Sequence, residues 1–150
     1  MNTSLNWLVT ASIINLAGNT LGTVIAVNRN LAAGLGNIAN SNSVIQDFLG
    51  LKGTALSGPL SFMLLQLLLT IFALRPNLTG KIGVGGLTFL GLFYTLAQIG
   101  EPIVLRQFSG GFELTQSVIL LVNIVSAIGM LVFGIMAWRA MRTARSVTVN

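Results

Sequence analysis

The stretch that decides the fold is LTQSVILLVNIVSAIGMLVFGIMAW, residues Leu114–Trp138, which contains no charged side chain. The charge-free run stops at RAMRTAR, where three arginines occur within seven residues. A helix that crosses the hydrocarbon core of a bilayer needs about 20 mainly apolar residues, and charged groups are costly there. The stretch is therefore predicted to be a membrane-spanning helix.

Three more charge-free intervals lie on the N-terminal side of this one. They cover residues 5–27, 56–74 and 82–100. The second of them ends at RPN, where Arg75 and Pro76 stop both the apolar run and the helix. We expect an all-α integral membrane protein, a bundle of four transmembrane helices that forms one membrane domain over residues 1–150.

The composition fits the same class. Of the 150 residues, 53% are hydrophobic and 7% are charged, with a mean hydropathy of +0.85, whereas soluble domains carry roughly one-quarter charged residues. The net charge of +5 is spread between apolar segments, so nucleic acid is not expected as a partner. With no cysteine, no histidine and three acidic residues, we predict no catalytic residue, no cofactor and no metal site.

The distribution of lysine and arginine predicts how the chain is threaded. With four spans, the side that carries both termini also carries Arg75, Lys81, Arg139, Arg142 and Arg145. The opposite side carries Arg29, Lys52 and Arg106, together with Asp47, Glu101 and Glu113. Basic flanks favour the cytoplasm, so we predict a multi-pass protein of the cell membrane with both termini cytoplasmic. Trp7 and Trp138 fall at the cytoplasmic boundaries, where indole rings prefer to lie.

The connections between the spans are expected to lie at the membrane surface. In the exterior loop 28–55, apolar residues recur at near-helical spacing between Val44 and Leu51, which predicts a short interfacial helix. Residues 103–108, in the next exterior connection, have the same character. The basic tail, residues 139–150, is expected to hold to anionic cytoplasmic lipid and to help orient the chain.

Each predicted span carries one stripe of small or polar side chains. The hydrophobic effect does not press helices together in lipid, so these stripes are expected to face the interior of the bundle. The candidate intramembrane polar cluster consists of Asn15, Asn19, Gln66, Gln98, Glu101 and Asn123. By depth, these side chains are predicted to form one polar column that opens to the exterior. Its cytoplasmic side is expected to be closed by Leu67, Leu68, Met130 and Phe133.

Two interpretations of the polar column stay open. Amides connect helices in membrane bundles, each hydrogen bond contributing about 0.5–2 kcal/mol, and in that case nothing binds or passes. Polar groups inside a membrane are also costly and often functional, which favours a site for binding or permeation. Gly18 and Gly22 form a Gly-x-x-x-Gly pair that predicts close helix packing, in the bundle or in a dimer.

Glu101 has two interpretations of its own. It lies at the end of the third span and precedes Pro102, which disfavours helical geometry at the residue before it. In the first interpretation it is a hydrated interfacial carboxylate paired with Arg106 or Lys52. In the second it stands at the mouth of the polar column as an entry group for a cation or a proton.

These observations predict a class of function and no particular activity. The leading expectation is a non-catalytic membrane protein that acts through helix–helix assembly, as a homo-oligomer or as an accessory subunit of a larger membrane complex. The alternative is a small-solute or ion transporter or channel that uses the polar column. A third expectation is binding of a lipid or another hydrophobic molecule between the helices. In every case the lipid bilayer is the predicted environment.

Overall fold

Helices build the fold over the residues that this computed structural model describes, which are 3–34, 43–104 and 113–146. The helices are α1 (Thr3–Asn28), α2 (Val44–Leu49), α3 (Leu60–Ala73), α4 (Leu78–Ile99) and α5 (Leu114–Ser146). Within the described ranges the β-type contacts are isolated bridges that join Thr54 to Ala32 and to Ser57. The predicted all-α class is confirmed.

Three of these helices, α1, α4 and α5, are long and apolar enough to cross a membrane. Helix α3 is also apolar but has only 14 residues. Helix α3 covers only part of the predicted span 56–74, because residues 54–59 are not helical and α3 begins at Leu60. Pro59 is extended, with φ −66° and ψ 154°, and a proline disfavours helical geometry at the residue before it.

The long helices alternate in direction. Trp7 of α1 stacks on Phe133 of α5 with ring centroids 6.0 Å apart. Further along both helices Asn15 contacts Ser126, so α1 and α5 run antiparallel. Helix α4 packs in the same antiparallel way against α5 and against α3. We call the end that holds the start of α1 and the last turns of α5 the terminus end, and the end that holds α2 and residues 54–59 the loop end.

Side-chain caps define where two helices begin. Asn77 accepts a backbone N–H of the first turn of α4 at 3.0 Å, so this helix begins at Leu78 and not at the predicted residue 82. Ser43 accepts a backbone N–H of α2 at 3.2 Å, and α2 falls within the short helix predicted for the exterior loop. Most of the other predicted short helix, residues 103–108, lies outside the described residues.

Helix α5 continues beyond the predicted span. It reaches Ser146, so the predicted basic tail, residues 139–150, is helical over the part that is described. Alanine, arginine and methionine have high helix propensities, and no glycine or proline follows Trp138. Arg139 and Arg142 therefore end the apolar surface of α5 without ending the helix.

Buried side chains fill the space between the helices, and leucines cover the outside. The apolar core includes Leu8, Leu87 and Met130, each with no exposed area. Two residues that were predicted to close the column, Leu67 and Leu68, lie instead on the outer surface, with 48% and 45% of their area exposed. The polar stripe of α3, with Gln66 and Thr70, faces the core, so Leu67 and Leu68 lie on the opposite face of the helix.

Candidate functional site

Residues 54–58, which we call the buried segment, run without helical structure between α1 and α5. Asn19 of α1 accepts the N–H of Gly58 through Oδ1 at 2.9 Å. Asn123 of α5 donates its amide to the carbonyl of Leu56 at 3.0 Å. Backbone groups away from water need such partners, so these two asparagines hold the buried segment in place.

Asn15 joins the two asparagines into one network. Its amide donates to the hydroxyl of Ser126 at 2.9 Å and to the backbone carbonyl of Asn123 at 3.1 Å. Its own Oδ1 accepts the amide of Asn19 at 3.0 Å. None of the three asparagines has exposed area. The asparagine network (Asn15, Asn19 and Asn123) thus connects α1, α5 and the buried segment.

Gly18 and Gly22 lie on the face of α1 that meets this network. A Cβ added at Gly22 would lie 2.5 Å from the carbonyl oxygen of Leu56, and one added at Gly18 would overlap the side chain of Asn123. Both glycines let other parts of the same chain approach α1 closely. That face is covered from within the chain, which leaves it closed to a second copy.

Gln66 belongs to a second, separate network nearer the middle of the bundle. Its amide donates to the carbonyl and the hydroxyl of Ser12, at 3.0 and 3.1 Å. The hydroxyls of Ser12 and Thr70 lie 2.8 Å apart, and the Gln66 amide also lies 3.5 Å from the sulfur of Met130. These contacts connect α1, α3 and α5.

Hydroxyl groups that were not among the predicted site residues complete both networks. Ser57 of the buried segment lies 2.8 Å from the hydroxyls of Thr23 and Thr54. Ser12 was missed although it lies three residues before Asn15 on the same helix, a spacing that puts both side chains on one face. That spacing was the signal that pointed to Ser12.

A cavity of about 290 Å³ lies at the loop end, beside the buried segment. Phe62 of α3 and Phe93 of α4 form its apolar wall, with ring centroids 5.2 Å apart. The polar side chains that line it are Asp47, Lys52, Thr54, Ser57, Tyr94, Gln98 and Glu101. We call this space the loop-end cavity.

Two residues that line the loop-end cavity each bury a polar atom without a hydrogen-bond partner. These atoms are the hydroxyl oxygen of Tyr94 and Oε1 of Gln98. Tyr94, which was not a predicted site residue, has only 2% of its area exposed. Leaving such a group unpaired costs about 1–3 kcal/mol.

Glu101 lies in the same wall and is enclosed, with 7% of its area exposed. Its Oε2 accepts the backbone N–H of Gly34 at 3.0 Å. Lys52, one of its predicted partners, forms an ion pair with Asp47 at 3.6 Å, and the other, Arg106, lies outside the described residues. The expected hydrated position is corrected: packing against residue 34 encloses the carboxylate at the cavity.

The predicted site residues fall into three groups. Asn15, Asn19 and Asn123 form the asparagine network, Gln66 belongs to the second network, and Gln98 and Glu101 line the loop-end cavity. Gly58 lies between the first group and the third, because its N–H bonds to Asn19 while a Cβ added to it would lie 3.0 Å from the ring of Tyr94. The buried segment thus interrupts the predicted continuous column.

Over the part of the chain that the structure describes, the fold is all-helical, with three helices suited to crossing a membrane and a polar interior at one end. Comparison of the chain with protein-family models, with curated proteins and with solved structures found no match.

Proposed function

We propose that the chain is a multi-pass membrane protein with four spans, in which α3 and the buried segment cross the membrane together. With 14 residues, α3 is about 21 Å long at 1.5 Å per residue. The hydrocarbon core is about 30 Å thick, so the buried segment has to supply the rest. Non-helical backbone is tolerated at that depth where protein surrounds it, as α1 and α5 surround this segment.

We place the terminus end in the cytoplasm. Arg75, Lys81, Arg139 and Arg142 lie at that end, and basic residues next to spans favour the cytoplasmic side. At the loop end, Arg29 is paired with Glu113 and Lys52 with Asp47, which offsets the basic charge there.

The proposed function is non-catalytic binding of a small ligand in the loop-end cavity. The observation that supports it is that two residues of the cavity wall, Tyr94 and Gln98, each have a buried polar atom without a hydrogen-bond partner, which a small rotation of either side chain could offer to a ligand. The same wall also has two phenylalanine rings. An amide oxygen accepts hydrogen bonds, so the ligand has to donate one. Small-molecule sites commonly combine an apolar lining with a few polar groups of this kind.

The charges of the cavity wall favour a cationic ligand. Among its described residues the wall carries two carboxylates, Asp47 and Glu101, against one ammonium, Lys52. The N-terminus of α3 and the C-terminus of α4 both reach the cavity, and their partial charges of opposite sign offset each other. Aromatic faces also attract cations. We therefore propose a small protonated amine with an apolar body.

The test is calorimetric titration of the protein in phosphatidylcholine nanodiscs with 2-phenylethylamine, which is protonated at neutral pH, and with the anion 3-phenylpropanoate. The amine should bind and the anion should not. Tyr94→Phe removes only the hydroxyl and should weaken binding about tenfold, the value of one hydrogen bond to a charged group. Thr95→Val is the control, because its hydroxyl bonds to Gly91 of its own helix at 2.7 Å. Equal binding of both probes, or equal affinities for the two variants, would contradict the proposal.

A second candidate function is helix–helix assembly, as a homo-oligomer or in a larger membrane complex. The supporting observation is an apolar groove of about 460 Å³ between α1 and α5, lined by Trp7, Ile14, Val125 and Phe133. Val125→Trp would fill this groove and should lower the mass of the protein–detergent complex. Leu64→Trp, at an exposed site on α3, should leave the mass unchanged. Identical masses for both variants and the parent would remove this candidate.

A solute or ion pathway along the predicted polar column is a weaker proposal. It needs the buried segment to leave Asn19 and Asn123, which bond to it at 2.9 and 3.0 Å. A flux assay in liposomes tests it directly.

A further inference from the structure

We propose that the groove between α4 and α5 at the terminus end binds an anionic phospholipid, with its phosphate held by Lys81 and Arg142. Two cavities of about 190 and 330 Å³ adjoin there and share Trp138 and Arg142 in their walls. The smaller one is lined by Lys81, and the larger one extends along both helices toward Gly85. The charged pocket and the groove are thus continuous. This arrangement matches a phospholipid, in which a charged headgroup is joined to acyl chains.

The charge of this site has one sign. Among the residues that the structure describes, the two cavities are lined by three cationic side chains, Lys81, Arg139 and Arg142, and by no carboxylate. The guanidinium carbon of Arg142 lies 5.8 Å from the centroid of the Trp138 ring. This distance lies within the range of a cation–π contact, which leaves the N–H groups of the guanidinium available to bind phosphate oxygens.

The larger cavity supplies the apolar part of the site. Gly85 has no side chain, and a Cβ added to it would meet only Trp138, at 3.5 Å. The missing side chain leaves a channel beside Thr88 and Ile135. Basic pockets between helices on the cytoplasmic side are known to bind anionic lipid headgroups, and the indole of Trp138 would lie at headgroup level.

The experiment is native mass spectrometry of the purified chain released from mixed micelles. The micelles contain phosphatidylglycerol and phosphatidylcholine with identical acyl chains in equal amounts. One cation near the surface contributes about a fivefold preference for anionic lipid, so two should give about 25-fold. The double variant Lys81→Gln/Arg142→Gln should lose this preference. Arg75→Gln, an exposed site at the same end of the bundle, removes one positive charge outside the groove and should retain it.

Two further measurements distinguish binding of a lipid from binding of any anion. Gly85→Leu keeps every charge but fills the groove, and it should weaken retention of phosphatidylglycerol several-fold. Inorganic phosphate at 10 mM should not displace the lipid, because it has no acyl chain; displacement would overturn the proposal. Equal retention of both lipids would overturn it as well, and so would an equal loss in Arg75→Gln and the double variant. The proposal rests on the membrane placement proposed above, which topology labelling tests separately, and it does not depend on the loop-end cavity.

Discussion

Replacing Gly22 by alanine tests whether α1 holds the buried segment by close backbone contact. The new methyl carbon would lie 2.5 Å from the carbonyl oxygen of Leu56 and 3.1 Å from its carbonyl carbon. The first distance is about 1 Å short of ordinary van der Waals contact. Both atoms belong to the backbone, and Asn123 bonds to that carbonyl at 3.0 Å. The buried segment therefore has to move by about 1 Å or α1 has to shift.

The expected cost follows from three contributions. Overpacking of this kind costs about 1–3 kcal/mol, and loss of the hydrogen bond from Asn123 adds about 1 kcal/mol. Alanine recovers up to about 1 kcal/mol of helix propensity relative to glycine. We expect Gly22→Ala to lower the free energy of unfolding by about 1–3 kcal/mol. Gly85→Ala is the matched control, because its methyl carbon meets its nearest neighbour at 3.5 Å, and it should cause no loss.

The assay is reversible unfolding by sodium dodecyl sulfate in mixed micelles, followed by the fluorescence of Trp7 and Trp138. Amide hydrogen exchange provides a local readout, since exchange over residues 54–58 should accelerate in Gly22→Ala and not in Gly85→Ala. Equal stabilities of the two variants, with unchanged exchange in the buried segment, would refute the reasoning.

Three further predictions concern the buried polar groups and the threading of the chain. Tyr94→Phe should leave the unliganded protein equally stable or raise its free energy of unfolding by about 1 kcal/mol, because the hydroxyl has no partner; a clear loss of stability would show that the hydroxyl is paired. Asn19→Ala should lower the free energy of unfolding by about 1–2 kcal/mol in the same detergent titration, because a partly buried backbone N–H loses its acceptor; a neutral result would contradict the role of the asparagine. The chain has no cysteine, so Ser4→Cys and Thr143→Cys should both react with a membrane-impermeant maleimide from the cytoplasmic side, and Lys52→Cys from the opposite side. Reaction of the first two from different sides would exclude four spans.

Much of the architecture was predictable from the sequence because its signals are local. The charge-free interval 114–138 predicts a long apolar helix, and α5 covers all of it. A spacing of three or four residues places side chains on one face of a helix whatever packs against it. The stripe that includes Asn15 and Asn19 was therefore expected to face inward, and both residues have no exposed area in the structure.

The site was predictable only in part, because its contacts join residues that are far apart in the chain. Gln98 and Glu101 were candidates as polar groups near a helix end, but nothing in their neighbourhood indicates the cavity they share with Asp47 and Lys52. Tyr94 was expected on the inward-facing stripe of the third span. Whether its hydroxyl finds a hydrogen-bond partner, however, depends on α2, α3 and the buried segment, which line the same cavity.

The sequence by itself determined which segments are apolar enough to form long helices and which face of each helix is polar, since both properties depend on neighbours within a few turns. The tertiary structure decided that residues 54–58 lie between α1 and α5 without helical structure and that α3 begins only at Leu60. Hydropathy is the same for an apolar segment in either conformation. Pro59 disfavours a helical conformation at Gly58. The non-helical path is then held from two other helices, because Asn19 accepts the N–H of Gly58 and Asn123 donates to the carbonyl of Leu56.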